Sequence, residues 1–208
     1  LMSLEPDWFS SVFGWLAIAR HALGSLALAI LVLGLLQCAR RTTDMHGVLK
    51  GQTINDMGDV FLATILGWFY LALMQFVVIW SANIPAEVVW YLRRIEGNWL
   101  WVVVTLALTS LALPVVLLAV RPIKRRLRFL STVAGLVFVF HLLHIYWLVM
   151  PVFDAAPSWN WLHVLLPLGM GLPWLALFAW QLLRHPLLPV NHPVLEEKLT
   201  ERERTSPI

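Results

Sequence analysis

The stretch that decides the fold is Val60–Ser81, VFLATILGWFYLALMQFVVIWS, which contains no charged residue. A helix needs about 20 mostly apolar residues to cross a bilayer, and this stretch supplies them without interruption. Four more segments of the same kind flank it: 9–37, 99–120, 129–150 and 159–183. The chain as a whole is 60% hydrophobic, with a mean hydropathy of +0.76 over 208 residues, far outside the range of a water-soluble domain. The sequence therefore predicts an all-α integral membrane protein with a bundle of about five transmembrane helices over 1–184. A polar tail follows over 185–208. The first segment is not a signal peptide. It follows the acids Glu5 and Asp7 rather than bases, is too long, and lacks a small-residue cleavage site before polar sequence.

Charge placement gives an orientation. Arg40, Arg41 and Lys50 follow the first segment; Arg121, Lys124, Arg125, Arg126 and Arg128 follow the third; Arg184, Lys198, Arg202 and Arg204 follow the fifth. The opposite side holds Arg93 and Arg94, accompanied by Glu87 and Glu96. The bias toward basic cytoplasmic loops then predicts a periplasmic N-terminus and a cytoplasmic C-terminus. The net charge of +3 lies in short membrane-flanking loops, so it points to anionic lipid and topology and not to nucleic acid. Among the twelve tryptophans, Trp8, Trp80, Trp90, Trp99, Trp101, Trp159 and Trp161 fall near segment ends, as an interfacial aromatic belt would. The single cysteine, Cys38, excludes a disulfide framework and any four-cysteine metal or iron–sulfur site within this chain.

The ionisable residues inside the apolar segments carry the functional signal, because burying such groups in lipid is expensive. Counting about 1.5 Å per residue from the outer ends, Arg20, His21 and His141 lie about 15 Å deep and His144 about 10 Å. Gln75 is shallow and Tyr70 near the middle of the second segment. The intramembrane polar side chains thus share a layer between the outer surface and the midplane. His141 and His144, three apart, share a helix face. That arrangement suits proton transfer or a hydrogen bond to a quinone ring. Two neutral histidines satisfied by neighbouring carbonyls suit it equally, and a haem would want histidines from facing helices. Arg20 remains charged and must find an anion or a polar cavity, unless it locks two helices together. Gln75 and Tyr70 fit interhelical hydrogen bonds as well as ligand contacts. Asn55, Asp56 and Asp59 read as the N-terminal cap of the second helix, with proton uptake as the other reading. Pro114 should bend the third helix, and Pro167 with Gly169, Gly171 and Pro173 the fifth. No phosphate loop, His-Glu-x-x-His motif or nucleophile elbow is present.

Three stretches and the tail carry a resemblance. SLEPDWFSSVFG (Ser3–Gly14), NDMGDVFLATILGWFYLALMQFVVIWSANIPAEVVWYLRR (Asn55–Arg94), HIYWLVMPVF (His144–Phe153) and PLLPVNHPVLEEKL (Pro186–Leu199) resemble the NrfD/PsrC-like membrane subunits of bacterial alternative complex III. The likeness is greatest to the second of the two quinone-binding subunits, the ActF type, over its C-terminal half. Members are about twice this length, so the chain is expected to be part of a longer subunit, in keeping with a first residue, Leu1, that is not methionine. At His141 and His144 the family pattern instead places a basic and an acidic residue. The resemblance implies a multi-pass subunit of the bacterial inner membrane in a quinol:cytochrome c oxidoreductase of the respiratory chain. Its implied partners are lipid, a sister NrfD-like subunit, and iron–sulfur and haem c subunits. Quinol is the implied bound substrate, with no haem or iron–sulfur cluster in this chain. The same residues, Arg20, His21, Tyr70, Gln75, His141 and His144, would then serve quinone binding or a proton path. Two other functions fit the residues: a non-catalytic, proton-conducting scaffold, and a small transporter for which a broken fifth helix is the positive feature.

Overall fold

The structure, a computed structural model, describes residues 4, 5, 8, 10–38, 51–120, 124–153 and 160–184. The polar tail and the basic residues Arg40, Arg41, Lys50 and Arg121 lie outside them. Among the described residues the fold is all-helical, and five helices are long and apolar enough to cross a membrane. They are α1 (Phe13–Cys38), α2 (Gly51–Ala82), the span Trp99–Ala119, the span Leu127–Val152, and a last helix, Leu162–Arg184. The third span consists of α4 (Trp99–Ala107), a π-helical turn (Leu108–Ala112) and α5 (Leu113–Ala119). The fourth consists of α6 (Leu127–Val149) closed by a 3₁₀ turn, Met150–Val152. A shorter helix, α3 (Pro85–Ile95), joins the second span to the third.

The chain divides into two units. The first holds α1 to α6. In the second, α7 (Leu162–Arg184) runs as one continuous helix through Pro167 and Pro173. The expected break in the fifth helix is therefore absent: each proline removes one backbone donor, and the i→i−4 bonds on either side keep the helix going.

The first unit is organised around an antiparallel α1–α6 seam, with α2 packed on another face of α1. Its core is Leu23, Ala27 and Ile30 of α1 against Leu130, Val133, Ala134 and Val137 of α6, extended by Phe61 and Ile65 of α2 and Leu118 of α5. In lipid there is no water to expel from between helices, so close van der Waals fit holds them, and small residues set the spacing. Gly24 abuts the His141 ring, Gly34 abuts Ser131, and Gly135 accepts Leu31.

Two sequence expectations change. The second helix begins at Gly51, nine residues before its apolar stretch, and at about 48 Å it exceeds the roughly 30 Å hydrocarbon core. Asn55, Asp56 and Asp59 consequently sit within the helix instead of capping it. Asn55 Nδ2 donates to Asp59 Oδ2 (2.8 Å), and Asp59 pairs with Lys124 ahead of α6. The tryptophans also do not form a simple lipid-facing belt. Trp80, Trp101 and Trp161 are exposed, whereas Trp8, Trp90 and Trp99 are buried. The cause is α3, which Pro85 starts at its first turn and which brings Trp90 to stack on Trp8 at 4.6 Å.

Arg94 fastens this end of the unit. It is 2% exposed, donates to the carbonyls of Trp90 (3.1 Å) and Leu148 (2.9 Å), pairs with Glu5 (3.3 Å) and lies 3.9 Å from the centre of the Trp90 ring. Trp147 Nε1 donates back to the Arg94 carbonyl at 3.1 Å. One guanidinium thereby joins the N-terminal segment, α3 and α6. Burial pulls the Arg94 pKa below its usual value, and the Glu5 carboxylate opposes that pull.

Candidate functional site

At the Arg94 end of the first unit, a cavity of about 380 Å³ lies between α1, α2, α3, α4, the π-helical turn and the end of α6. That volume is within the range of small-molecule sites, about 300–1,000 Å³. Its walls are largely aromatic and aliphatic, and four of the six residues singled out from sequence line it: Arg20, His21, Gln75 and His144.

Arg20 is the dominant polar group. It is 4% exposed, it is the only arginine, lysine or acidic residue in the cavity lining, and it forms no ion pair among the described residues. Nη2 donates to the Phe140 carbonyl at 3.3 Å, and the guanidinium carbon lies 4.5 Å from the centre of the Trp68 ring. Nε and Nη1 are buried without a hydrogen-bond partner in the protein. Trp68 also meets the His144 ring edge-on at 5.4 Å, so one indole contacts both the cation and the imidazole. His144 continues to Trp147 at 5.5 Å.

The other positions diverge. His21, one residue and about 100° round the helix from Arg20, is exposed and touches the cavity, and its ring is 5.5 Å from that of His141. His141 itself is buried against Gly24, does not line the cavity, and leaves Nδ1 unpartnered. The two histidines share a face of α6, but only the one nearer the helix end reaches the cavity. Gln75 donates from Nε2 to Ser10 Oγ at 2.8 Å, tying α2 to the segment before α1. Tyr70 is 60% exposed and absent from the lining. Five residues from Gln75 on an α-helix, it is turned about 140° away.

Sequence reasoning passed over Trp68, Tyr91 and Ser110. Trp68 was recoverable, since it lies seven residues, two helical turns, before Gln75 on the same face. Tyr91 arrives through α3; burial pushes its phenol up to about 12, against the opposing effect of Arg94, so it faces the cavity as a neutral O–H. Ser110 sits in the π-helical turn, where the Leu113 N–H bonds the Leu108 carbonyl five residues back. Pro114 has no N–H to offer the Ser110 carbonyl four residues earlier, which gives the register shift a local cause. No group of three histidine, cysteine or acidic side chains among the described residues is arranged to hold a metal ion.

The chain matches no protein-family model and no curated protein.

Proposed function

We propose that the chain is a membrane subunit of a quinol:electron-acceptor oxidoreductase complex, and that the cavity beside Arg20 takes the quinol ring. The observation that carries this reading is the pairing of an apolar, ring-sized cavity with a buried arginine whose Nε and Nη1 lack partners. A quinone carbonyl or a quinol oxygen is an acceptor for those donors, and the wall includes the aromatic residues Trp68 and Phe69, against which a ring can pack. Oxidation of a quinol releases two electrons and two protons. His144 is the cavity histidine suited to accept a hydroxyl proton, and His21 lines the same cavity as a second acceptor. The electrons would leave to iron–sulfur and haem c subunits of the complex. The positive-inside bias, seen in Lys124, Arg125, Arg126 and Arg128 ahead of α6, supports a periplasmic location for the cavity end, in keeping with a subunit of a bacterial inner membrane. The resemblance to NrfD/PsrC-like subunits supports the same assignment and adds a sister subunit as neighbour.

A structural, proton-conducting scaffold is the second reading. It is favoured by the bonds Arg20 does make, since the Phe140 carbonyl and the Trp68 ring tie α1 to α6 and α2. The transporter reading loses its sequence support, because α7 is continuous through both prolines.

Purification of the tagged subunit in a gentle detergent, with mass spectrometry and a redox spectrum, tests the proposal. Co-purifying haem c and iron–sulfur proteins with quinol oxidation activity is the expected result. A colourless protein recovered alone would overturn it.

A further inference from the structure

The cavity has a second unsatisfied polar group, on the third span. Ser110 is 2% exposed, lines the cavity, and its Oγ has no hydrogen-bond partner in the protein. A helical serine ordinarily disposes of its hydroxyl by bonding back to the carbonyl one turn earlier. Its neighbour Thr109 does this, donating to the Thr105 carbonyl at 2.5 Å. Ser110 does not, and it is held in the one π-helical turn among the described residues. Such turns displace side chains from their α-helical positions and recur at functional sites. An orphaned buried hydroxyl is costly to keep, and Ser110 is a residue of the same cavity wall as Arg20, whose Nε and Nη1 are also without partners.

We infer that Ser110 is a ligand-binding residue, and that the cavity takes a flat, lipophilic ring compound carrying two oxygens, one bonded by Arg20 Nε and Nη1 and the other by Ser110 Oγ. The inference rests on the reading above that this cavity holds a quinone-type ring, and it assigns that ring's polarity. Arginine only donates, so its end takes an acceptor, and as a permanent cation it favours the oxygen with more negative character. A serine hydroxyl both donates and accepts, so its end serves a carbonyl and a hydroxyl alike. The Ser110 contact therefore survives a change in the ligand's oxidation state, whereas the Arg20 contact strengthens as negative charge develops. A cationic amphiphile is excluded by the same uncompensated charge.

The test is calorimetric titration of the purified complex with a decyl-substituted benzoquinone, comparing the parent with Ser110→Ala and Ser110→Thr, alongside thermal unfolding without quinone. Ser110→Ala should weaken binding roughly three- to tenfold, the worth of one hydrogen bond, and Ser110→Thr should restore it to within about twofold of the parent. In the quinone-free complex Ser110→Ala should be as stable as the parent or more so, because it removes an unpartnered hydroxyl. A purely structural role would move stability and binding down together, and that result would overturn the inference. Unchanged affinity in Ser110→Ala with weakened affinity in Arg20→Gln would overturn the Ser110 assignment while leaving the cavity reading in place. No quinone binding by the parent complex would remove both.

Discussion

Replacing Gly34 by alanine should force α1 and α6 apart. A Cβ at Gly34 would collide with the Cβ and Oγ of Ser131 on the facing helix. Rotating the serine side chain relieves the contact with Oγ but not that with Cβ, which is fixed to the backbone. Only separation of the helices brings the pair to ordinary van der Waals distance. Leu23, Ala27, Ile30, Leu130 and Ala134, all fully buried along that seam, would loosen together. A radial gap of about 0.5–1 Å forfeits a quarter to a half of each contact. Overpacking of this kind costs about 1–3 kcal/mol, and a clash borne by backbone belongs at the upper end. The better helix propensity of alanine returns about 1 kcal/mol. A net loss of about 2 kcal/mol is expected. Thermal unfolding in detergent, followed by tryptophan fluorescence, measures it. The double variant Gly34→Ala with Ser131→Gly moves the methyl to the other helix and should recover most of the loss, the coupling expected of touching residues. Gly67→Ala is the control, since a Cβ there meets nothing within 4 Å; it should be neutral or stabilising by up to about 1 kcal/mol. If Gly34→Ala proves as stable as the parent, the close α1–α6 approach is wrong.

Three further outcomes follow from particular contacts. Arg94→Met should cost about 3 kcal/mol in thermal stability, because it strands the Leu148 carbonyl and leaves Glu5, 11% exposed, to the weaker partner Arg93; Arg93→Met, with its side chain 58% exposed, should stay within about 1 kcal/mol. Tyr91 has a pKa raised from 10.0 to about 12 in the fold, so its share of stability is fully present below pH 10 and lost as pH climbs toward 12. An alkaline unfolding series should show up to roughly 2 kcal/mol of such loss, and Tyr91→Phe should abolish it. His144→Ala should slow quinol turnover with assembly intact, whereas His141→Ala should lower stability by about 2 kcal/mol through the space it leaves against Gly24. Equal effects of the two on turnover would contradict their placement.

The spans were legible because a bilayer imposes one dominant rule, an uninterrupted apolar length, and residues 60–81 satisfy it in isolation. Helix ends were less legible. Nothing in the polar run 51–59 forbids helix, and the pairing of Asp59 with Lys124, 65 residues away, has no local signature. For the site, depth counted from the segment ends was enough to group Arg20, His21, Gln75 and His144, because depth is a one-dimensional quantity. Azimuth decided the remainder. Tyr70 shares the depth of the cavity but faces away from it, and His141 shares the face of His144 but is sealed by Gly24. Ser110 depended on a π-helical register that Pro114 permits but does not spell out. The buried tryptophans depended on α3, a helix too short and polar to register as a span, yet it closes the end of the unit.

Photolabelling of the complex in native membranes with an azidoquinone, followed by mass spectrometry of the labelled peptides, tests the proposed quinol site in place. Quinol-competable labels are expected on α1 around Arg20, on α2 around Trp68 and on the π-helical turn around Ser110. Labelling confined to other subunits, or to the lipid-facing residues of this one, would contradict it.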